Sequence, residues 1–258
     1  MNQKEAFWAT GRRELDPNRR TIVFIHGAAQ DNTIWVLPRR YFVRHGYNVL
    51  DLDLPGHGYS AGPALTTVEA MADWVMRGVE GLGVTQVALV GHSLGSLVAL
   101  DAAARYPAGV SRIVLVGTAV PMPVGDVLMD AAQDDPQDAF EMMNTWSHSD
   151  AAQMGGNAMP GIWMMGNGLR LFERSQPGVV YTDLQACHNY AAGLERAAEV
   201  ECPALLILGQ RDMMTPAKAA QSLASALPDA TQVKLTGCGH TLLAERPEEV
   251  LDALADFL

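Results

Sequence analysis

With 258 residues, of which 48% are apolar and 18% charged, the chain is long enough to bury a sizeable core and too apolar for a disordered protein. Its formal net charge of −11 argues against nucleic acid and anionic membrane surfaces as partners. Three cysteines, Cys187, Cys202 and Cys238, have no C-x-x-C spacing and read as reduced thiols in a cytoplasmic protein, with no metal site.

Residues 1–5 lack the basic-then-apolar pattern of a signal peptide, and no run approaches the ~18 apolar residues of a membrane span. A short strand is expected within 5–10, and the polar stretch 12–20, with Asp16-Pro17-Asn18, reads as a turn. Thr21–Ile25 is a continuous, β-branched apolar run of the kind that parallel sheets bury on both faces. It ends at His26-Gly27. A helix is expected over 33–44, and a strand over 47–53, closed by Leu54-Pro55-Gly56-His57-Gly58. Val68, Met71, Ala72, Val75, Met76 and Val79 recur at helical spacing. The apolar run 86–90 then enters Gly91-His92-Ser93-Leu94-Gly95, followed by a helical segment over 97–106 that Pro107 stops. Another buried strand spans 112–117.

Residues 119–198 change character. They hold eight of the thirteen methionines, together with Trp146 and Trp163, and no β run, so they read as a mainly helical insertion. Glycines and Pro160 break its middle, 154–165, which is expected to be an apolar loop covering the site, with Trp163 and Met164 as substrate-binding residues. Met-rich walls also suit plain core packing. The alternating pattern resumes with a strand at 203–209, a helix at 216–226, a strand at 231–235 and a last helix from Pro247, where Glu248 and Glu249 favour the positive helix end. Alternation of this kind predicts an α/β fold with a mostly parallel sheet flanked by helices, divided into a core of 1–118 and 199–258 and an inserted unit of 119–198.

The strand–turn–helix around Ser93 has the form G-x-S-x-G. A tight turn there projects the hydroxyl from the sheet edge, while Gly91 and Gly95 avoid collisions and the helix amino terminus favours negative charge. A serine hydroxyl needs a base, and the base needs an orienting group. His240, in Gly237-Cys238-Gly239-His240, and Asp212, in Gly209-Gln210-Arg211-Asp212, each follow an expected strand and supply them. Ser93, His26, Asp53, Asp212 and His240 all fall at carboxyl ends of strands, where open parallel sheets place ligands.

These landmarks in this order resemble the α/β-hydrolase superfamily over roughly 21–118 and 199–258, and the insertion resembles its variable cap. The resemblance implies a serine hydrolase with Ser93 as nucleophile, His240 as base and Asp212 as its partner. It also implies an oxyanion hole formed by the backbone N–H groups of Ala28 and Leu94. No cofactor is implied. After the strand at 112–117, where some relatives carry the acid, this chain has Gly117-Thr118-Ala119 and no carboxylate. His26 and His57 read as structural loop histidines, His92 as packing beside the turn, and His148 and His188 belong to no motif. The expected substrate is a small to medium, partly apolar carboxylic ester. Hydrolysis of a carbon–carbon bond in a β-diketone-like substrate, and a non-catalytic ligand-binding role on the same fold, stay open. Oligomeric state is not legible.

Overall fold

The computed structural model of the protein describes residues 6–11, 14–156 and 161–258. The start of the chain (1–5), residues 12–13 of the expected turn and residues 157–160 of the expected apolar loop lie outside the described residues.

The apolar runs become strands of one sheet: β1 (Phe7–Ala9), β2 (Thr21–Ile25), β3 (Asn48–Asp53), β4 (Val87–His92), β5 (Val110–Val116), β6 (Ala204–Gly209) and β7 (Ala230–Leu235). Their spatial order is β1-β3-β2-β4-β5-β6-β7. Every neighbouring pair is parallel except β1 with β3, an antiparallel edge pair. β2, β4 and β6 are buried along their whole length, whereas β7, at the other edge, is partly exposed. Two charged residues on β3 interrupt the apolar rule and explain themselves by their partners. Asp51 meets Arg39 at 3.0 Å, and Asp53 accepts from the backbone and side-chain nitrogens of Asn32 and from the Tyr59 N–H, fixing two loops at the carboxyl edge.

The helices are α1 (Val36–Arg44), α2 (Val68–Gly81), α3 (Leu94–Arg105), α4 (Asp126–Asp134), α5 (Pro136–Ser147), α6 (Asp150–Gln153), α7 (Met164–Phe172), α8 (Val179–Asn189), α9 (Gly193–Glu199), α10 (Gln221–Ala226), α11 (Leu242–Glu245) and α12 (Pro247–Phe257). α2, α3, α9 and α10 pack side by side on one face of the sheet. α1 and α12 cover the other, burying Phe42, Val250 and Leu254 against Phe24 and Val114. Thr67 caps α2 by accepting from the Ala70 N–H, and Asp135 caps α5 ahead of Pro136. The segment 119–198 contains helices and no strand among the described residues. Within it, α4, α5, α7 and α8 contribute Leu128, Phe140, Phe172 and Leu184 to the same apolar cluster as α3.

Three expected helices differ in extent, the one expected over 33–44 opening with a 3-10 turn at Asn32–Trp35 before α1. α3 starts at Leu94 instead of 97, because the chain enters the helix directly from the turn at Ser93. Of the helix expected over 216–226 only Gln221–Ala226 forms; Ala219 bonds back to Pro216 and Gln221 to Lys218, so the preceding residues make successive four-residue turns.

Candidate active site

Ser93 stands between β4 and α3 with φ 52° and ψ −117°, a left-handed conformation that a non-glycine residue adopts only when its surroundings impose it. Those surroundings are backbone. A Cβ on Gly91 would fall on the Gly95 carbonyl, and one on Gly95 would fall on the carbonyls of Ile25 and His26. Gly27 leaves space on the opposite side, since a Cβ there would lie 3.2 Å from that of Ser93. The glycines of G-x-S-x-G and of His26-Gly27 therefore serve one close approach of three chain segments. Ser93 N–H donates to the Val116 carbonyl, and Ser96 Oγ donates to the Ser93 carbonyl, holding the turn from both ends.

Asp212 follows β6 and is buried. Its Oδ2 lies 2.8 Å from His240 Nδ1 and accepts from the Thr215 hydroxyl at 2.8 Å, while Oδ1 accepts from the Thr215 N–H at 2.7 Å. Burial pushes this carboxyl upward, but the His240 ring and the Thr215 donors outweigh it and hold Asp212 below the usual carboxylate range. His240 is fixed from the other side as well. Its backbone N–H donates to the Ser147 carbonyl of α5 at 2.7 Å, and Gly117 backs onto its ring.

Ser93 and His240 line one cavity of 160 Å³, which Ala28, Gln30, His92, Ser147 and Thr215 also border. The rest of the wall is apolar: Met122, Val124, Leu128, Met143, Trp146, Phe172, Leu184 and Cys187 from the segment 119–198, and Met213 and Met214 from the loop after β6. Burial pushes the Cys187 thiol up, so this wall carries no thiolate. No group of His, Cys, Asp and Glu among the described residues is arranged to hold a metal ion.

The structure brings Ser93, Asp212, His240 and Ala28 together, and Leu94 follows Ser93 as the first residue of α3. It does not bring Trp163 there. That side chain is 73% exposed and lies along Gly166, because α7 starts immediately after it and carries the ring along its own surface. Met164 is buried, but it borders a neighbouring groove with Gln30, Leu37 and Phe172 instead of the Ser93 cavity. The tryptophan in the cavity wall is Trp146, on α5.

The loop histidines hold backbone. Leu54 N–H donates to His26 Nε2 at 3.0 Å, so His26 Nδ1–H donates to the Gly27 carbonyl at 2.8 Å. His92 Nε2 lies 3.0 Å from the His240 carbonyl, and burial, with His240 adding to it, lowers its pKa to about 3. His148 bonds the Asn144 carbonyl one turn back, and His188 meets Val124. Thr215 is a site residue that sequence reasoning passed over, although its place three residues after Asp212 is a turn pattern that favours such a bond. Glu245 is another: buried, it accepts from the N–H groups of Gly239 and Ser149.

The α/β hydrolase fold family matches residues 20–247 of this sequence. The chain belongs to that family. This α/β hydrolase is 30% identical over 265 residues to the pimeloyl-(acyl-carrier protein) methyl ester esterase of Aromatoleum aromaticum, covering 93% of this chain and 99% of the relative. It is 24% identical to the (E)-2-((N-methylformamido)methylene)succinate hydrolase of Acinetobacter baylyi, covering 92% of this chain and 89% of the relative. Among solved structures, the enol-lactonase of Burkholderia xenovorans superposes with a TM-score of 0.85 at 22% identity, covering 99% of this chain and 97% of that one, which shows the shared fold. Its relatives are esterases and other hydrolases, and the protein is of the hydrolase class. No helix among the described residues is long and apolar enough to cross a membrane.

Proposed function

We propose that the protein is a serine hydrolase of small to medium, partly apolar carboxylic esters. The observation that carries this reading is the Asp212–His240 pair opening onto the same cavity as the strained Ser93. Ser93 Oγ attacks the ester carbonyl carbon while His240 Nε2 takes its proton. Asp212, acting on Nδ1, keeps the ring in the tautomer this requires and stabilises its cation. The N–H groups of Ala28 and Leu94 receive the oxyanion. The flanking amides of that first turn are already engaged, Gly27 N–H by Gln30 Oε1 and Ala29 N–H by Asp183 Oδ2, which leaves Ala28 for the ligand. Collapse expels the alcohol with the proton from His240. A water, deprotonated by His240, then attacks the acyl-enzyme and releases the acid, restoring Ser93.

Met122, Leu128, Met143, Trp146 and Leu184 suit a compact apolar acyl group. We assign residues 119–198 as the cap that shapes this pocket over a core of 1–118 and 199–258. The free cysteines support a cytoplasmic setting. The test is a panel of p-nitrophenyl and alkyl esters of graded acyl length, run beside β-diketones with product analysis. The reading expects ester turnover that Ser93→Ala abolishes. Cleavage of the diketones without ester turnover would replace it with carbon–carbon bond hydrolysis.

A further inference from the structure

Asp183 lies on α8, and its carboxylate is fully buried. All the hydrogen bonding shown for it among the described residues goes to Oδ2. That oxygen accepts from the Ala29 N–H at 2.8 Å and lies 2.8 Å from His57 Nε2, while Oδ1 has no donor among the described residues. Both partners belong to loops at the carboxyl edge of the sheet.

The His57 ring is placed to donate from both nitrogens. Its Nδ1 lies 3.1 Å from the Pro55 carbonyl and its Nε2 faces the Asp183 carboxylate, so each nitrogen meets an acceptor and each must donate. Burial works against the charged form, but Asp183 outweighs it and raises the His57 pKa. The adjacent His26 ring, with centroids 4.7 Å apart, stays neutral: burial and the His57 charge bring it to about 4. Asp183 and His57 thus form a buried ion pair joining α8 to the loop after β3.

Ala29, the pair's third member, has φ 55°, which a side chain with a Cβ tolerates only under constraint. Its N–H donates to Asp183, whereas the preceding residue, Ala28, lines the cavity. The peptide carrying the Ala28 N–H is held at its Gly27 carbonyl by His26 Nδ1–H and the Gln30 N–H, and the bond at Ala29 holds the peptide that follows, so its loss frees one side of the turn. We infer that Asp183 is a positioning residue that, through Ala29 and the His57 cation, holds the Ala28–Ala29 turn so that the Ala28 N–H is aimed at the oxyanion. α8 also contributes Leu184 and Cys187 to the cavity wall, so one helix both shapes the acyl pocket and fixes the oxyanion turn. This rests on the reading of Ser93 as the nucleophile.

The experiment compares kcat, KM and melting temperature of Asp183→Ala, Asp183→Asn and Val180→Ala with wild type, on the best ester of the panel. Val180 is a buried residue of α8 outside the cavity wall, so its truncation loosens the helix while leaving the Asp183 carboxylate and its bonds to Ala29 and His57 in place. Asp183→Ala is expected to lower kcat by about 100-fold with KM changed less than about threefold, the loss typical of a misplaced oxyanion donor. Asp183→Asn keeps an acceptor for one of the two donors and is expected to lose about tenfold; it stands in if the alanine variant does not fold. Val180→Ala is expected to keep kcat within about twofold while lowering the melting temperature. A kcat within about twofold of wild type in Asp183→Asn, or losses in the Asp183 variants matched by Val180→Ala, would overturn the inference while leaving the nucleophile assignment intact. A wild-type protein without Ser93-dependent turnover would overturn that assignment instead, and the positioning role with it.

Discussion

The Ser149 hydroxyl donates to Glu245 Oε2 at 2.5 Å, joining the segment between α5 and α6 to the short helix α11 just after His240. The same carboxylate accepts from the N–H groups of Ser149 and Gly239 and from the Thr241 hydroxyl, so one buried side chain ties the segment after α5 to the His240 loop. Glu245→Ala leaves two buried N–H groups without a partner, at a cost of about 1–3 kcal/mol each. The expected result is a loss of about 3 kcal/mol in urea-induced unfolding, beyond that of an ordinary surface substitution. A loss under about 0.5 kcal/mol would show that the loop does not depend on this carboxylate.

Asp212 and Thr215 both meet the same imidazole nitrogen, Asp212 Oδ2 lying 2.8 Å and Thr215 Oγ1 3.2 Å from His240 Nδ1. Asp212→Asn reverses the preference for the required tautomer and is expected to lower kcat by on the order of 10⁴. Thr215→Val removes only the hydroxyl that donates to Asp212 Oδ2 and is expected to cost about tenfold. Steady-state kinetics of the two variants check this order. An Asp212→Asn loss below about tenfold would mean that another acid supports His240.

Stability is expected to fall in acid because of the buried neutral histidines. Burial, with a histidine neighbour adding to it, brings His26 to about 4 and His92 to about 3, against an ordinary value of 6.5. Above about pH 6.5 neither the folded nor the unfolded chain protonates them. As pH falls below that, the unfolded chain takes up protons that the fold refuses, costing about 1.4 kcal/mol per pH unit for each group. Asp51 and Asp101, raised chiefly by burial, act in the opposite direction, so the informative comparison is with a variant. Between about pH 7 and pH 5, His92→Asn is expected to lose ~2 kcal/mol less than wild type in denaturant titrations. Parallel pH profiles would refute this contribution of His92.

Trp146 borders the cavity and Trp163 does not. Trp146→Ala is expected to shift the preferred acyl chain toward longer substrates. Trp163→Ala should leave the profile of kcat/KM against chain length unchanged, with stability altered by no more than ~0.5 kcal/mol. A shift caused by Trp163→Ala and not by Trp146→Ala would reverse the assignment of the pocket wall.

The contrast between those tryptophans also shows what a sequence carries. β2 and β4 are legible because a parallel strand buried on both faces leaves a continuous apolar run, and the turn at Ser93 is legible because two glycines are required by backbone contact. Asp212 and His240 follow from the chemistry a serine hydroxyl demands. Composition marks 119–198 as helical, yet it does not say which side of an apolar segment faces a cavity, so it points to Trp163 where Trp146 lines the wall. Asp183 and Glu245 are illegible for a different reason. A carboxylate on a helix ordinarily faces water, and their partners lie 154 and 96 residues away, at Ala29 and Ser149, where no local pattern reports them.

The central claim is that Ser93 is the nucleophile, and labelling with a fluorophosphonate tests it most directly. Such a reagent requires an activated serine but no knowledge of the substrate. Intact mass and peptide mapping are expected to show one adduct on the wild-type protein, on the peptide carrying Ser93, and none on Ser93→Ala. Absence of labelling in the folded wild-type protein, or an adduct that persists in Ser93→Ala, would contradict the claim.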